Sequence, residues 1–166
     1  MFNDFPLAWA VDLRALFLTI VANTAPVLLS RVLSGRSGHP IDGGLKLWDG
    51  RPLFGSHKTW RGLSAGILFS GAAGISVSVG FPAGAAFGAF ALAGDLFSSF
   101  IKRRLGRPSG AWIPFIDQVP EALLPMLVLQ HSLGLERGSI LGTVAVFVVL
   151  DMITSKITPI IGHAPP

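Results

Sequence analysis

No cysteine occurs in these 166 residues. That excludes disulfides and thiolate metal sites, and it leaves the compartment open. Charge is scarce as well: only 13% of residues are charged, against about a quarter in an ordinary soluble domain. With 51% hydrophobic residues and a mean hydropathy of +0.62, the chain carries more apolar surface than one soluble core can bury, and the surplus requires lipid. A nucleic-acid partner is excluded on distribution. The net charge is +4, but such a domain needs a basic stripe on a soluble face, and most of this chain is committed to the membrane. A cleavable leader is missing too. Met1-Phe2-Asn3-Asp4 has no basic n-region, and the apolar stretch that follows is longer than an h-region, so it reads as a retained span.

What is present is a series of long apolar runs. A membrane helix needs about 20 mostly apolar residues, and five stretches fit or nearly fit: Leu7 to Leu29, Leu63 to Val79, Pro82 to Phe100, Ile113 to His131, and Ile140 to Ile157. The predicted fold is therefore an all-α integral membrane protein with about five transmembrane helices, a long first loop, and a single domain over residues 1–166. Only Gly80-Phe81 separates the second and third spans, which predicts a tight helical hairpin. Gly66, Gly71, Gly74, Gly84, Gly88 and Gly94 allow close backbone approach there, as small residues do between membrane helices.

Ten of the thirteen Lys and Arg residues fall in two loops. Arg31, Arg36, Lys46, Arg51, Lys58 and Arg61 belong to the first, and Lys102, Arg103, Arg104 and Arg107 to the third. The positive-inside rule makes both loops cytoplasmic. A five-span chain then has its N-terminus outside and its C-terminus inside the cell membrane.

The first loop contains His39-Pro-Ile-Asp42-Gly-Gly, Trp48-Asp49-Gly50-Arg51-Pro52, and Gly55-Ser56-His57-Lys58-Thr59-Trp60-Arg61-Gly62. Its last run enters the second span. Helix N-terminal amides with Lys58, Thr59 and Arg61 make a phosphate cradle, although a polybasic segment touching anionic lipid is an equal reading. A P-loop is rejected, because Ser56 and His57 separate Gly55 from Lys58 and the strand–helix context is missing. Further on, Asp95, Ser98, Ser99 and Lys102 share a helical face. An aspartate within a membrane segment is costly and is a functional candidate by default, the alternative being a salt bridge to Lys102 or an arginine across the bundle. Asp117-Gln118 opens the fourth span, with Glu121 on the same face. Asp95 and Asp117 flank one loop, so both carboxylates can meet at one depth, which suits Mg²⁺ completed by substrate phosphates. The histidines show no ligand spacing and read as loop or interface residues. Pro26 should kink the first helix, which either opens space for Asn23 to face the site or is structural only.

Taken in order, Ala22-Asn23-Thr-Ala-Pro26, Pro40-Ile41-Asp42, Asp49-Gly50-Arg51, Gly55 through Gly62, Gly94-Asp95-Leu96 with Ser99 through Gly106, and Asp117-Gln118 resemble the CDP-archaeol synthase family, within the CTP:phosphatidate cytidylyltransferases. The resemblance implies Mg²⁺-dependent transfer of CMP from CTP to an isoprenoid glycerol-ether phosphate in the bilayer, with release of pyrophosphate. It implies that Asp95 and Asp117 are metal and catalytic aspartates, and that Lys58, Thr59, Arg61, Lys102 and Arg103 lie on the nucleotide phosphates, Lys102 with a catalytic part. Asn23, Asp49, Arg51, Arg104 and Gln118 are further candidates. Two positions depart from the family pattern: Ser56-His57 stands where an acidic residue precedes Lys-Thr-Trp-Arg, and Pro120 stands where an aspartate follows Asp-Gln. The competing readings are a CTP-dependent polyprenol kinase and a small transporter. The transporter requires polar residues continuing through the bilayer, whereas the second and third spans are apolar away from one end.

Overall fold

The computed structural model describes residues 11–33 and 38–161, with side chains as far as Ser155. The expected start of the first span at Leu7, Arg36, and the tail beyond Ile161 lie outside the described residues. The elements are α1 (Leu13–Val32), α2 (Trp60–Ser76), α3 (Phe81–Arg104), α4 (Gln118–Val128), α5 (Gln130–Leu133) and α6 (Arg137–Ile161). Among the described residues the only extended pairings are two isolated bridges, Pro40 with Thr59 and Lys46 with Pro52.

Local chemistry explains where the helices begin. Asp12 caps α1, its carboxylate accepting from the amides of Arg14 and Ala15, which satisfies two donors that a helix start leaves unpaired. The same carboxylate pairs with the Arg14 guanidinium at 2.7 Å. Thr59 caps α2 by accepting from the Gly62 amide at 3.2 Å. Pro82 sits in the first turn of α3, where its missing N–H costs nothing. Pro26 lies inside α1 without interrupting it.

The expected α2–α3 hairpin forms, with four residues, Val77 to Gly80, between the helices in place of Gly80-Phe81. Its contact depends on missing side chains. A Cβ on Gly84 would stand 2.4 Å from the Ser70 carbonyl oxygen and 2.9 Å from the Gly74 Cα, distances that only glycine permits. The buried core joins four helices through Leu18, Phe87, Met126 and Phe147. Leu68, Phe69 and Ile75 of α2 and Leu141, Val149 and Ile153 of α6 face outward, as lipid-solvated helices require.

The expected fourth span is not a continuous helix. Residues 114–117 form a turn, α4 runs for only 11 residues, and Leu129 separates it from the single turn of α5. At about 1.5 Å per residue α4 is roughly 16 Å long, about half the hydrocarbon thickness. Backbone punctuation is the cause: Phe115 has φ +64°, Pro125 lies inside α4, and Gly134 ends α5 in the left-handed conformation. Among the described residues three helices are long and apolar enough to cross a membrane by length and composition, namely Leu13–Val32, Phe81–Arg104 and Arg137–Ser155. The 17-residue α2 and the broken α4–α5 unit pack among them.

Candidate active site

The helix ends on the loop side of the bundle surround one cavity of about 910 Å³. Asn23 and Pro26 of α1, Lys58, Thr59 and Arg61 at the start of α2, Asp95 and Lys102 of α3, Asp117 and Glu121 around the start of α4, and Asp151 of α6 all line it. Asp95 and Lys102 reach it together because they stand seven residues apart on one helix face.

The first loop brings Lys58 to this cavity by pairing with itself. The Ile41 amide donates to the Lys58 carbonyl at 2.8 Å, and the Trp60 amide donates to the His39 carbonyl at 3.1 Å. Asp42 then holds the loop's far side, its carboxylate accepting from the amides of Gly44, Phe54 and Gly55 at 3.0, 2.9 and 2.9 Å. Partial burial pushes that carboxyl upward, but the amide hydrogen bonds outweigh it and hold the group below the ordinary aspartate value. Two of the amides expected in the cradle are already committed. Trp60 and Gly62 have already spent theirs on His39 and Thr59, so the side chains of Lys58 and Arg61 are left to face the cavity.

The aspartates sit in ion pairs. Lys58 Nζ donates to Asp95 Oδ2 at 2.5 Å, and Lys102 Nζ lies 2.6 Å from Asp117 Oδ1 while donating to the Ala111 carbonyl at 2.8 Å. Asp95 therefore pairs across the bundle with Lys58 and not with Lys102 on its own helix. Arg61 forms no ion pair among the described residues. Lys102 is buried; removing either partner from a buried pair strands a charge, at a cost of about 3–5 kcal/mol. These pairs therefore hold the charges in place.

Other candidates sit elsewhere. Ser98 and Ser99 are buried, and the Ser98 hydroxyl donates back to the Gly94 carbonyl at 3.0 Å. Arg104 donates to Asp49 Oδ1 at 2.8 Å and to the Pro52 carbonyl at 2.6 Å, and its guanidinium lies 6.0 Å from the Trp48 ring centroid and 5.3 Å from that of Phe100. Arg51 reaches back to the Arg104 carbonyl. Asp49, Arg51 and Arg104 thus fasten the first loop to the end of α3, outside the cavity lining. Arg103 is buried beside Gly55 and also lies off the lining.

The approach of α3 to α4 is extreme. A Cβ on Gly94 would stand 2.3 Å from the Pro120 carbonyl oxygen, so Gly94 lets the turn bearing Asp117 settle next to Asp95. Within that turn Asp117 Oδ2 accepts from the Ile113 amide at 2.9 Å, and Gln118 Oε1 accepts from the Phe115 amide at 2.7 Å. Two hydrogen bonds thus span the left-handed Phe115, a conformation that costs of order 1–3 kcal/mol. Gln118 is fully buried, so it is a part of the scaffold and not of the cavity wall. Sequence reasoning missed Asp151, whose Oδ2 accepts from Gln118 Nε2 at 2.7 Å. The signal was there: an aspartate within an apolar helix.

These features define a helical membrane protein with a polar cavity at one end of its bundle, walled by carboxylates and cations together. The CarS-like CDP-archaeol synthase family model matches residues 10–79. The CDP-archaeol synthase of Staphylothermus marinus is 34% identical over 86% of this chain and 84% of its own length. That of Hyperthermus butylicus is 38% identical over 65% of each chain. A solved structure of an intramembrane enzyme for archaeal membrane lipids biosynthesis superposes with a TM-score of 0.68 at 32% identity, covering 87% of this chain and 92% of that one. The chain belongs to the CDP-archaeol synthase family.

Proposed function

We propose that this chain is one membrane-embedded domain that transfers CMP from CTP to a membrane lipid phosphate, releasing pyrophosphate and forming a CDP-activated lipid of the CDP-archaeol type. The observation that carries the reading is the mixture of signs in one cavity: Asp95 and Asp117 line it with Lys58, Lys102 and Arg61. Family membership supports the same chemistry over the kinase and transporter readings. The basic loops mark the cytoplasmic side, where CTP arrives, and the start of α1 faces away from it.

The nucleophile is a lipid phosphate oxygen, already anionic, so the reaction needs no serine, cysteine or strong general base. Its barrier is charge repulsion and alignment as that oxygen attacks the α-phosphorus and pyrophosphate departs. Asp95 and Asp117 are hard oxygen donors and would hold Mg²⁺. Its remaining ligands would come from phosphate and water. Such an ion supplies charge neutralisation on the phosphate oxygens. Lys58, Lys102 and Arg61 would meet phosphate oxygens there, Lys58 and Lys102 in exchange for the Asp95 and Asp117 carboxylates they now hold. Thr59 lines the cavity but keeps its hydroxyl on the Gly62 amide, which fixes the backbone between Lys58 and Arg61.

Labelled CTP tests the reading. With Mg²⁺ and a lipid phosphate acceptor, label at the α-phosphate should enter lipid and label at the γ-phosphate should leave in pyrophosphate. A kinase gives γ label in lipid and α label in CDP, and a transporter gives neither. Incorporation of γ label without α label would overturn the assignment.

A further inference from the structure

We propose that Asp151, on α6, is a positioning residue that holds Asp117 in register through Gln118. The proposal rests on the reading above that Asp117 serves the reaction. Gln118 is fully buried, with the Phe115 amide on one side of its carboxamide and Asp151 on the other. A backbone N–H can only donate and an ionised carboxylate can only accept, so the orientation of the carboxamide is dictated: Oε1 faces Phe115 and Nε2 faces Asp151. The bond to Phe115 pins a residue with φ +64°, a conformation rare for a bulky side chain. Two residues further on stands Asp117, whose own Oδ2 closes the same turn on the Ile113 amide. The turn is thus clasped twice, and one clasp is anchored on a different helix by Asp151.

Without an acceptor at position 151 the buried Nε2 donors of Gln118 lose their partner. The carboxamide must then swing to find another, the Phe115 amide loses its acceptor, and the turn relaxes with the Asp117 carboxylate on it. A displacement of about 1 Å at a reacting group costs on the order of a hundredfold in rate. Asp151 also lines the cavity, so a direct role for its charge is the competing account, and the experiment separates the two.

Full-length variants in detergent are compared for kcat, for KM towards CTP and lipid phosphate, and for thermal stability. Asp151→Asn keeps an oxygen for Gln118, and its kcat should stay within about threefold of the parent. Asp151→Leu should lose roughly ten- to a hundredfold in kcat with KM for CTP little changed. Gln118→Glu sets two carboxylates against each other and should be impaired. Combining it with Asp151→Asn reverses donor and acceptor and should recover most of the lost rate. A folded Asp151→Asn variant as inactive as Asp151→Leu would overturn the proposal, since charge and not the hydrogen bond would then be needed. So would a folded Gln118→Glu/Asp151→Asn protein showing no recovery. Should Asp151→Leu fail to fold, the Asn and exchange variants still decide. Asp117→Asn is assayed alongside: if it is active, the reading of the site fails and this inference with it, whereas an inactive Asp117→Asn beside an indifferent, folded Asp151→Leu overturns this inference alone.

Discussion

The two ends of α3 are held by opposite means. Near Gly80 it meets α2 through bare backbone, with Gly84 against Ser70 and Gly74 and no charge involved. Near Arg104 it is fastened by ion pairs and guanidinium contacts: Lys58 to Asp95, Lys102 to Asp117, and Arg104 to Asp49. In lipid, dispersion between small residues suffices to join helices, so the charged end needs a different explanation. Charges held within a bundle are costly, and the end that carries them is the end with the cavity.

The largest test of this contrast sets carboxylates at opposite ends against each other. Asp95→Asn and Asp117→Asn should each lower turnover about a hundredfold or more in protein that stays folded and membrane-inserted, with Asp117→Asn also losing about 3–5 kcal/mol of stability because Lys102 is stranded. Asp12→Ala removes the cap of α1 at the far end and should cost about 1 kcal/mol of stability with turnover per folded molecule unchanged. Initial rates beside thermal melts in detergent check all three. Near-normal turnover in either Asn variant would remove that aspartate from the site.

A smaller effect comes from glycines at each end. A methyl group at Gly84 meets the Ser70 carbonyl at 2.4 Å, and one at Gly94 meets the Pro120 carbonyl at 2.3 Å. Both Gly→Ala variants should lose roughly 1–3 kcal/mol of stability from overpacking. Only Gly94→Ala displaces the turn that carries Asp117, so it alone should also lower kcat in the folded fraction, by about tenfold. Equal kcat in the two variants would erase the distinction between the ends.

The hairpin of α2 and α3 was legible because two glycine-rich apolar runs adjoin with almost nothing between them. That Asp95 and Asp117 line one cavity was legible because they flank one loop. The fourth span was misread because a hydropathy window counts apolar side chains and ignores Pro114, Pro120 and Pro125, which set where a helix can start and how it can continue. The structural use of Asp49, Arg51 and Arg104 could not be read, since the partners lie more than fifty residues apart and meet only once the loop has folded. Asp151 fell inside a span that looked complete by composition, although the rule applied to Asp95 pointed equally at it.

The smallest effect concerns the loop that brings Lys58 into place. Asp42 sits below the ordinary carboxyl value, so its contribution is fully present above the unfolded aspartate pKa of about 3.9 and is lost as pH falls through the lower folded value. Hydrogen exchange at the Phe54 and Gly55 amides should therefore be slow near neutrality and should lose protection in acid beyond the general pH trend. In Asp42→Asn the protection should be weaker at neutrality and should change little on acidification. An unaltered pH response in that variant would show that the loop is held by something other than this carboxylate.

The chain closes on itself over a long interval. The Asp12 amide donates to Thr143 Oγ1, 131 residues away, and Gln118 reaches Asp151 across 33. Synthesis proceeds from the N-terminus, so α1 to α4 emerge first and wait with these donors unmatched until α6 arrives. α6 thus supplies an acceptor at both ends of the bundle, and a chain ending before Arg137 lacks both Thr143 and Asp151.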